Sequence, residues 1–237
     1  MGGERLWLER PEIEAIIEEE LLKAGLLPDP QSPIVDVERF IEAYLRVCLD
    51  QHADLAPEVL GCTEFRRGEP PRILINQDLT GSAMDADRAP PGIEGRWRAT
   101  LAHEATHVVL HRSLFEPNAD QGVLFEEVRD TESGEQMVRC LKREVSFHSE
   151  VPDWREVQAN RGMAALLMPR SVFVGLAQEQ AARAGLRPAG LAPGSRGAQQ
   201  LAGRMARMVA VSRRAAAIRL ETLGLIAVPG ASELALR

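Results

Sequence analysis

No apolar run in this 237-residue chain approaches the length needed to cross a bilayer. The first residues, Met1 to Arg10, lack the apolar stretch of a secretory signal. A soluble, cytoplasmic protein with no membrane partner is therefore expected. Cysteine is scarce. The three residues Cys48, Cys62 and Cys140 form no C-x-x-C pair and are odd in number, which argues against a disulfide framework or a zinc ribbon. Tyr44 is the single tyrosine, so a site that draws on several tyrosines as transition-state donors is excluded. No internal repeat is visible, and the length suits one main core with a small appendage.

Charge is unevenly divided. Residues 1–150 carry 16 Lys and Arg against 30 Asp and Glu, a net of −14, and residues 151–237 carry 12 against 5, a net of +7. A basic last third beside an acidic body suggests internal attraction, a charged partner, or simply solvated helix faces.

Histidine is also rare, yet three of the five fall within nine residues: His103, His107 and His111. The segment Leu101-Ala102-His103-Glu104-Ala105-Thr106-His107 reads H-E-x-x-H inside a run from Ala99 to Leu110 without Gly or Pro. Residues four apart share a helix face, so His103 and His107 can offer two imidazoles to one ion. Glu104 lies next to that face, where it can take a proton from an attacking water. Two His ligands, an open position and a carboxylate base make the arrangement of a zinc hydrolase, so Zn²⁺ is the expected cofactor.

Such a site needs a third protein ligand. The downstream candidates are His111, Glu126, Glu127, His148, Glu150 and Glu156. His111 shares the helix face but lies eight residues from His103, about 12 Å along the axis, too far for one ion to take all three easily. The metzincin spacing is absent, because Leu110 stands where its Gly would be. Glu156 opens a second apolar-striped segment, Trp154 to Met168, stopped by Pro169. A carboxylate on a buried face is costly unless paired or metal-bound. It is also an ordinary first-turn residue favoured by the helix dipole.

Three blocks in order resemble the ImmA/IrrE family of zinc metallopeptidases. Ile73-Leu74-Ile75-Asn76 and Arg98 to His111 are similar to that family's I-x-I-N strand and T-L-A-H-E-x-x-H-x-x-L-H helix. Glu156-Val157-Gln158-Ala159-Asn160 with Ala164 to Pro169 is similar to its E-x-x-A-N and L-L-M-P block. Val211-Ser212 with Arg219-Leu220-Glu221-Thr222-Leu223-Gly224 is similar to its C-terminal ending. The resemblance spans roughly residues 35–226. It implies an α+β, mainly helical zincin-like core with a small edge sheet and a C-terminal helical pair. It also implies Zn²⁺ held by His103, His107 and Glu156, with Glu104 as the catalytic base. The implied substrate is a specific regulatory protein, such as a helix-turn-helix repressor or an antitoxin, whose cleavage relieves repression under stress. Thr106 departs from the family's Gly in H-E-x-G-H, and His107 to Glu156 is a long gap of 49 residues. An insertion or flap at 112–153 is expected there, and His148 within it is a candidate transition-state or substrate contact.

The expected organisation is a catalytic domain at 1–185 and a linker with a C-terminal helical segment at 186–237. The pattern predicts helices over Glu12–Gly25 and Asp36–Asp50, a strand at Pro71–Asn76 on the edge of a small sheet, a loop over Leu79–Gly95, and a helix over Val172–Ala184. Gln199–Val209 and Ser212–Thr222 read as two helices with Ser212 as N-cap, resembling a helix-turn-helix. Arg204, Arg207, Arg213, Arg214 and Arg219 decorate them, with Arg204, Arg207, Arg213 and Arg214 the candidates for contact with nucleic acid or a partner. The simpler expectation is a helical pair packed on the core. Two other functions compete with peptide hydrolysis: a non-proteolytic DNA- or protein-binding regulator with a structural or vestigial zinc site, and a hydrolase of small amides. An intact Glu104 argues against the first, since a structural site needs no base.

Overall fold

The computed structural model describes residues 7–66, 69–85, 87, 89–115, 135–141 and 154–226. Helices dominate around one four-stranded sheet, an α+β arrangement. Among the described residues no helix is long and apolar enough to cross a membrane. His148 and most of the expected insertion lie outside the described residues.

Helix α1 (Arg10–Lys23) starts at a reciprocal cap between Glu9 and Glu12 and buries Ile13, Ile17 and Leu21, a four-residue spacing that points one face inward. The helix expected over 36–50 is cut short. Asp36 accepts a bond from the Arg39 N–H at 3.0 Å and starts α2 (Val37–Arg39), which widens into a π turn at Phe40–Tyr44. The Val47 N–H then closes on the Ile41 carbonyl at 3.1 Å, Arg46 adopts φ +55°, and the chain leaves as strand β1 (Cys48–Ala53). Burying Phe40, Ile41 and Val47 together thus takes a reversal and not a longer helix.

Strands β2 (Val59–Arg66) and β3 (Arg72–Asn76) follow, and β4 (Glu135–Leu141) joins from the long segment after the H-E-x-x-H motif. The order is β1-β3-β2-β4, with β1 parallel to β3 and β2 antiparallel to both neighbours. The strand expected at 71–76 is therefore present as Arg72–Asn76, but it is interior and not at the edge. Its side chains explain the place: Ile73 and Ile75 are both fully buried, and Asn76 ties two elements. The Asn76 Nδ2 donates to the Val59 carbonyl at 2.9 Å, while its Oδ1 accepts from the Asp78 N–H at 2.9 Å. That cap starts α3 (Gln77–Met84), which buries Leu79 where a loop was expected.

Helix α4 (Ile93–Phe115) carries the H-E-x-x-H segment and packs between the sheet and α5 (Trp154–Leu167). After Pro169 come α6 (Arg170–Arg183), a short 3₁₀ turn at Pro188–Gly190, α7 (Arg196–Met208) and α8 (Arg213–Thr222). Ser212 does cap α8, accepting from the Ala215 N–H at 3.0 Å.

The C-terminal pair shares one hydrophobic core with the rest, through Leu201, Met205 and Leu220 beside Ile17 and Leu166. Arg219 does not decorate the surface. It is 2 % exposed, forms a two-pronged ion pair with Glu14 of α1, and donates from Nε and Nη2 to the Met168 carbonyl at 3.0 and 2.8 Å.

Candidate metal centre

His103 and His107 stand one turn apart on α4 and face the first turn of α5. Their Nε2 atoms are 3.0 Å apart. Glu156 spans them, with Oε2 3.1 Å from the His103 Nε2 and Oε1 3.1 Å from the His107 Nε2. The donor atoms of the three residues all lie within 4.8 Å of one another. Both histidines are buried, and the small exposure of the group belongs to Glu156, whose side chain is 12 % accessible.

Lone pairs turned on one point from two imidazoles and a carboxylate repel one another unless a cation or shared protons sit between them. Ligands at zinc bond lengths of about 2.0–2.1 Å in a tetrahedron would stand about 3.3 Å apart, close to the separations found. The donor set fits Zn²⁺.

Without a cation, protons do part of this work. Burial opposes ionisation of Glu156, but its hydrogen bonds to His103 and His107 outweigh that and hold the carboxyl well below its usual range. Burial alone would lower the His103 imidazole, yet the Glu156 carboxylate prevails and raises it above its ordinary value. For His107 burial wins, and its affinity for a proton is lowered.

The neighbours hold the ligands. The His107 Nδ1 lies 3.0 Å from the His111 Nδ1, and the His111 Nε2 lies 3.2 Å from the Gln158 Oε1. His111 is fully buried, packed edge-on against Trp154 at 5.6 Å between ring centroids. Burial and the adjacent His107 push its pKa down to about 3, so the ring is neutral. One proton pattern satisfies both contacts of His111: His107 donates from Nδ1 to His111, and His111 donates from Nε2 to Gln158. His107 then presents a bare Nε2, as a metal ligand must.

Glu104 faces the sheet side of α4. It is fully buried and accepts a 2.6 Å hydrogen bond from the Thr63 hydroxyl at Oε2. The same hydroxyl lies 3.2 Å from the Glu104 backbone carbonyl. Two glycines allow the close approaches. A Cβ at Gly61 of β2 would lie 2.7 Å from the Thr100 Cγ2 and 3.0 Å from the Glu104 Oε1. A Cβ at Gly162 of α5 would lie 2.2 Å from the Thr106 Cγ2. Thr106, present where the resembled motif has Gly, thus packs on a glycine of the opposite helix.

The structure therefore brings together His103, His107 and Glu156, while the carboxyl of Glu104, next to His103 in the chain, lies against β2 and acts on His103 through its charge. Arg204, Arg207 and Arg213 gather in a separate groove, and Arg214 is not among the residues that line it. The sequence alone assigns no role to Thr63, Gln158 or Gly162. Gly162 carried a usable signal, since a glycine inside a helix marks a close contact. Thr63 carried none, because β2 was not anticipated. Compared with known proteins, the chain matches no family model and no curated protein.

Proposed function

We propose that this chain is a zinc-dependent metallopeptidase that cuts a specific regulatory protein. The observation that carries the reading is the convergence of the His103 and His107 Nε2 atoms and the Glu156 carboxylate, beside the acidic side chain of Glu104. His103, His107 and Glu156 would hold the metal. Bound there, Zn²⁺ supplies a Lewis acid for the scissile carbonyl and lowers the pKa of water.

The chain's own groups supply the rest. Glu104 accepts the proton of the attacking water at its carboxylate and returns it to the leaving amine. The Thr63 hydroxyl holds one Glu104 oxygen at 2.6 Å and so fixes the rotamer of the base. His111 and Gln158 hold the His107 ring in its ligand tautomer. The surrounding burial excludes bulk water, which strengthens each of these interactions.

The resemblance noted above favours a helix-turn-helix repressor or an antitoxin as substrate. The test is co-expression with a repressor encoded beside this chain, followed by mass analysis of that repressor. Wild type should cut it at one bond, and Glu104→Gln should leave it intact while remaining folded. Equal relief of repression by both proteins, with an intact repressor, would reject the peptidase reading.

A further inference from the structure

We propose that α7 and the start of α8 form a docking surface for the phosphate backbone of duplex DNA. A groove there is lined by Arg196, Gln199, Gln200, Arg204 and Arg207 on α7, and by Arg213 on α8. The α7 residues recur at three- and four-residue spacing, so they share one helix face opposite the buried Leu201, Ala202 and Met205. From Arg196 to Arg207 that face runs about 16 Å along the helix axis.

The field of the groove is of one sign. Between Glu179 and Glu221 the sequence has eight Arg, no Lys and no acidic residue. Among the described residues, Arg196, Arg204, Arg207 and Arg213 enter no ion pair. Arg213 lies over Gly203, where an added Cβ would stand in ordinary van der Waals contact with its Nε at 3.4 Å. Unpaired guanidinium groups in a row match phosphate oxygens, which they can take in two-pronged fashion. Duplex DNA offers roughly one charge per 1.7 Å of axis, so a 16 Å stretch presents about nine. Single strands are usually held by stacking on aromatic rings, and the last aromatic residue of the sequence is the buried Phe173. The absence of rings argues against a stacked single strand and leaves the duplex backbone as the charge match. The inference stands independently of the metal reading.

The experiment is fluorescence anisotropy of the full chain with a mixed-sequence duplex of about 20 base pairs across a salt series. Four phosphate contacts predict a slope of log K against log salt near −3.6, and a shuffled duplex should bind within about twofold. Arg204→Gln with Arg207→Gln should reduce the slope by about two. Gly203→Glu, which gains helix propensity and sets a carboxylate against Arg213, should weaken binding at least tenfold at fixed salt. Circular dichroism confirms that each variant is folded. No binding at about 50 mM salt, or an unchanged slope in the double variant, would overturn the proposal. So would equal competition by polyglutamate, which would assign the groove to an acidic protein segment.

Discussion

His107 could ligate a metal only in the tautomer that keeps Nε2 bare, and the His111 contact at its Nδ1 favours that tautomer. His111 accepts at Nδ1 and passes its own proton to Gln158. Losing such an outer partner commonly costs 10–100-fold in metal affinity. His111→Phe and Gln158→Leu should each weaken Zn²⁺ binding by about that much, read by competition with a chromophoric chelator, while the metal-free fold is kept. Unchanged affinity in both variants would remove the relay from the account. Of these residues, His103, Glu104 and His107 were legible in the sequence because a helix period fixes their geometry without tertiary information. The roles of His111 and Gln158 were not, because they depend on how α5 crosses α4. Glu156 stood between: its helix was legible, but only the packing decides whether a first-turn carboxylate faces water or two histidines.

That crossing rests on a small pair of residues. Thr106 of α4 and Gly162 of α5 touch so closely that an added methyl has no room. Gly162→Ala should push α5 away and carry Glu156 off the two imidazoles, with zinc binding reduced at least tenfold. Thr106→Gly opens the same space from the other side, so the double variant should recover most of the lost affinity. Absence of recovery would place the defect elsewhere than in this contact. Elements with a strong local signal were legible: the helix around His103, the helix ended by Pro169, α6, and α8 with its Ser212 cap. Others were hidden by their partners. Nearly all of β2 is buried, so it shows no alternation of polar and apolar residues, and α3 depends on an Asn76 cap within a Gly- and Asp-rich stretch. The run 36–50 has a helical apolar set, yet the chain turns at Arg46 because β1 pairs in parallel with β3.

Across the whole molecule, the C-terminal helices are joined to the rest by more than apolar contact. The Arg219–Glu14 pair, bound also to the Met168 carbonyl, links α8, α1 and the end of α5. Removing one member of a buried pair leaves the other charged and unsatisfied, at a cost of about 3–5 kcal/mol. Arg219→Ala should therefore lower unfolding free energy by about that amount in a urea titration, whereas the exposed Arg207→Ala should change it by less than about 0.5 kcal/mol. Equal effects of the two would mean that the C-terminal pair is not anchored through Arg219. The positive charge of the last third is thus divided: Arg219 is used internally, whereas Arg196, Arg204 and Arg207 of α7 enter no ion pair among the described residues.

The most direct test is zinc stoichiometry by native mass spectrometry of wild type, Glu104→Gln and Glu156→Gln, prepared side by side without chelators. A base and a ligand separate cleanly in this comparison. One Zn²⁺ per chain is expected in wild type and in Glu104→Gln, and none in Glu156→Gln. Wild type without zinc, or Glu156→Gln that keeps it while Glu104→Gln loses it, would contradict the assignment of His103, His107 and Glu156 as the metal centre.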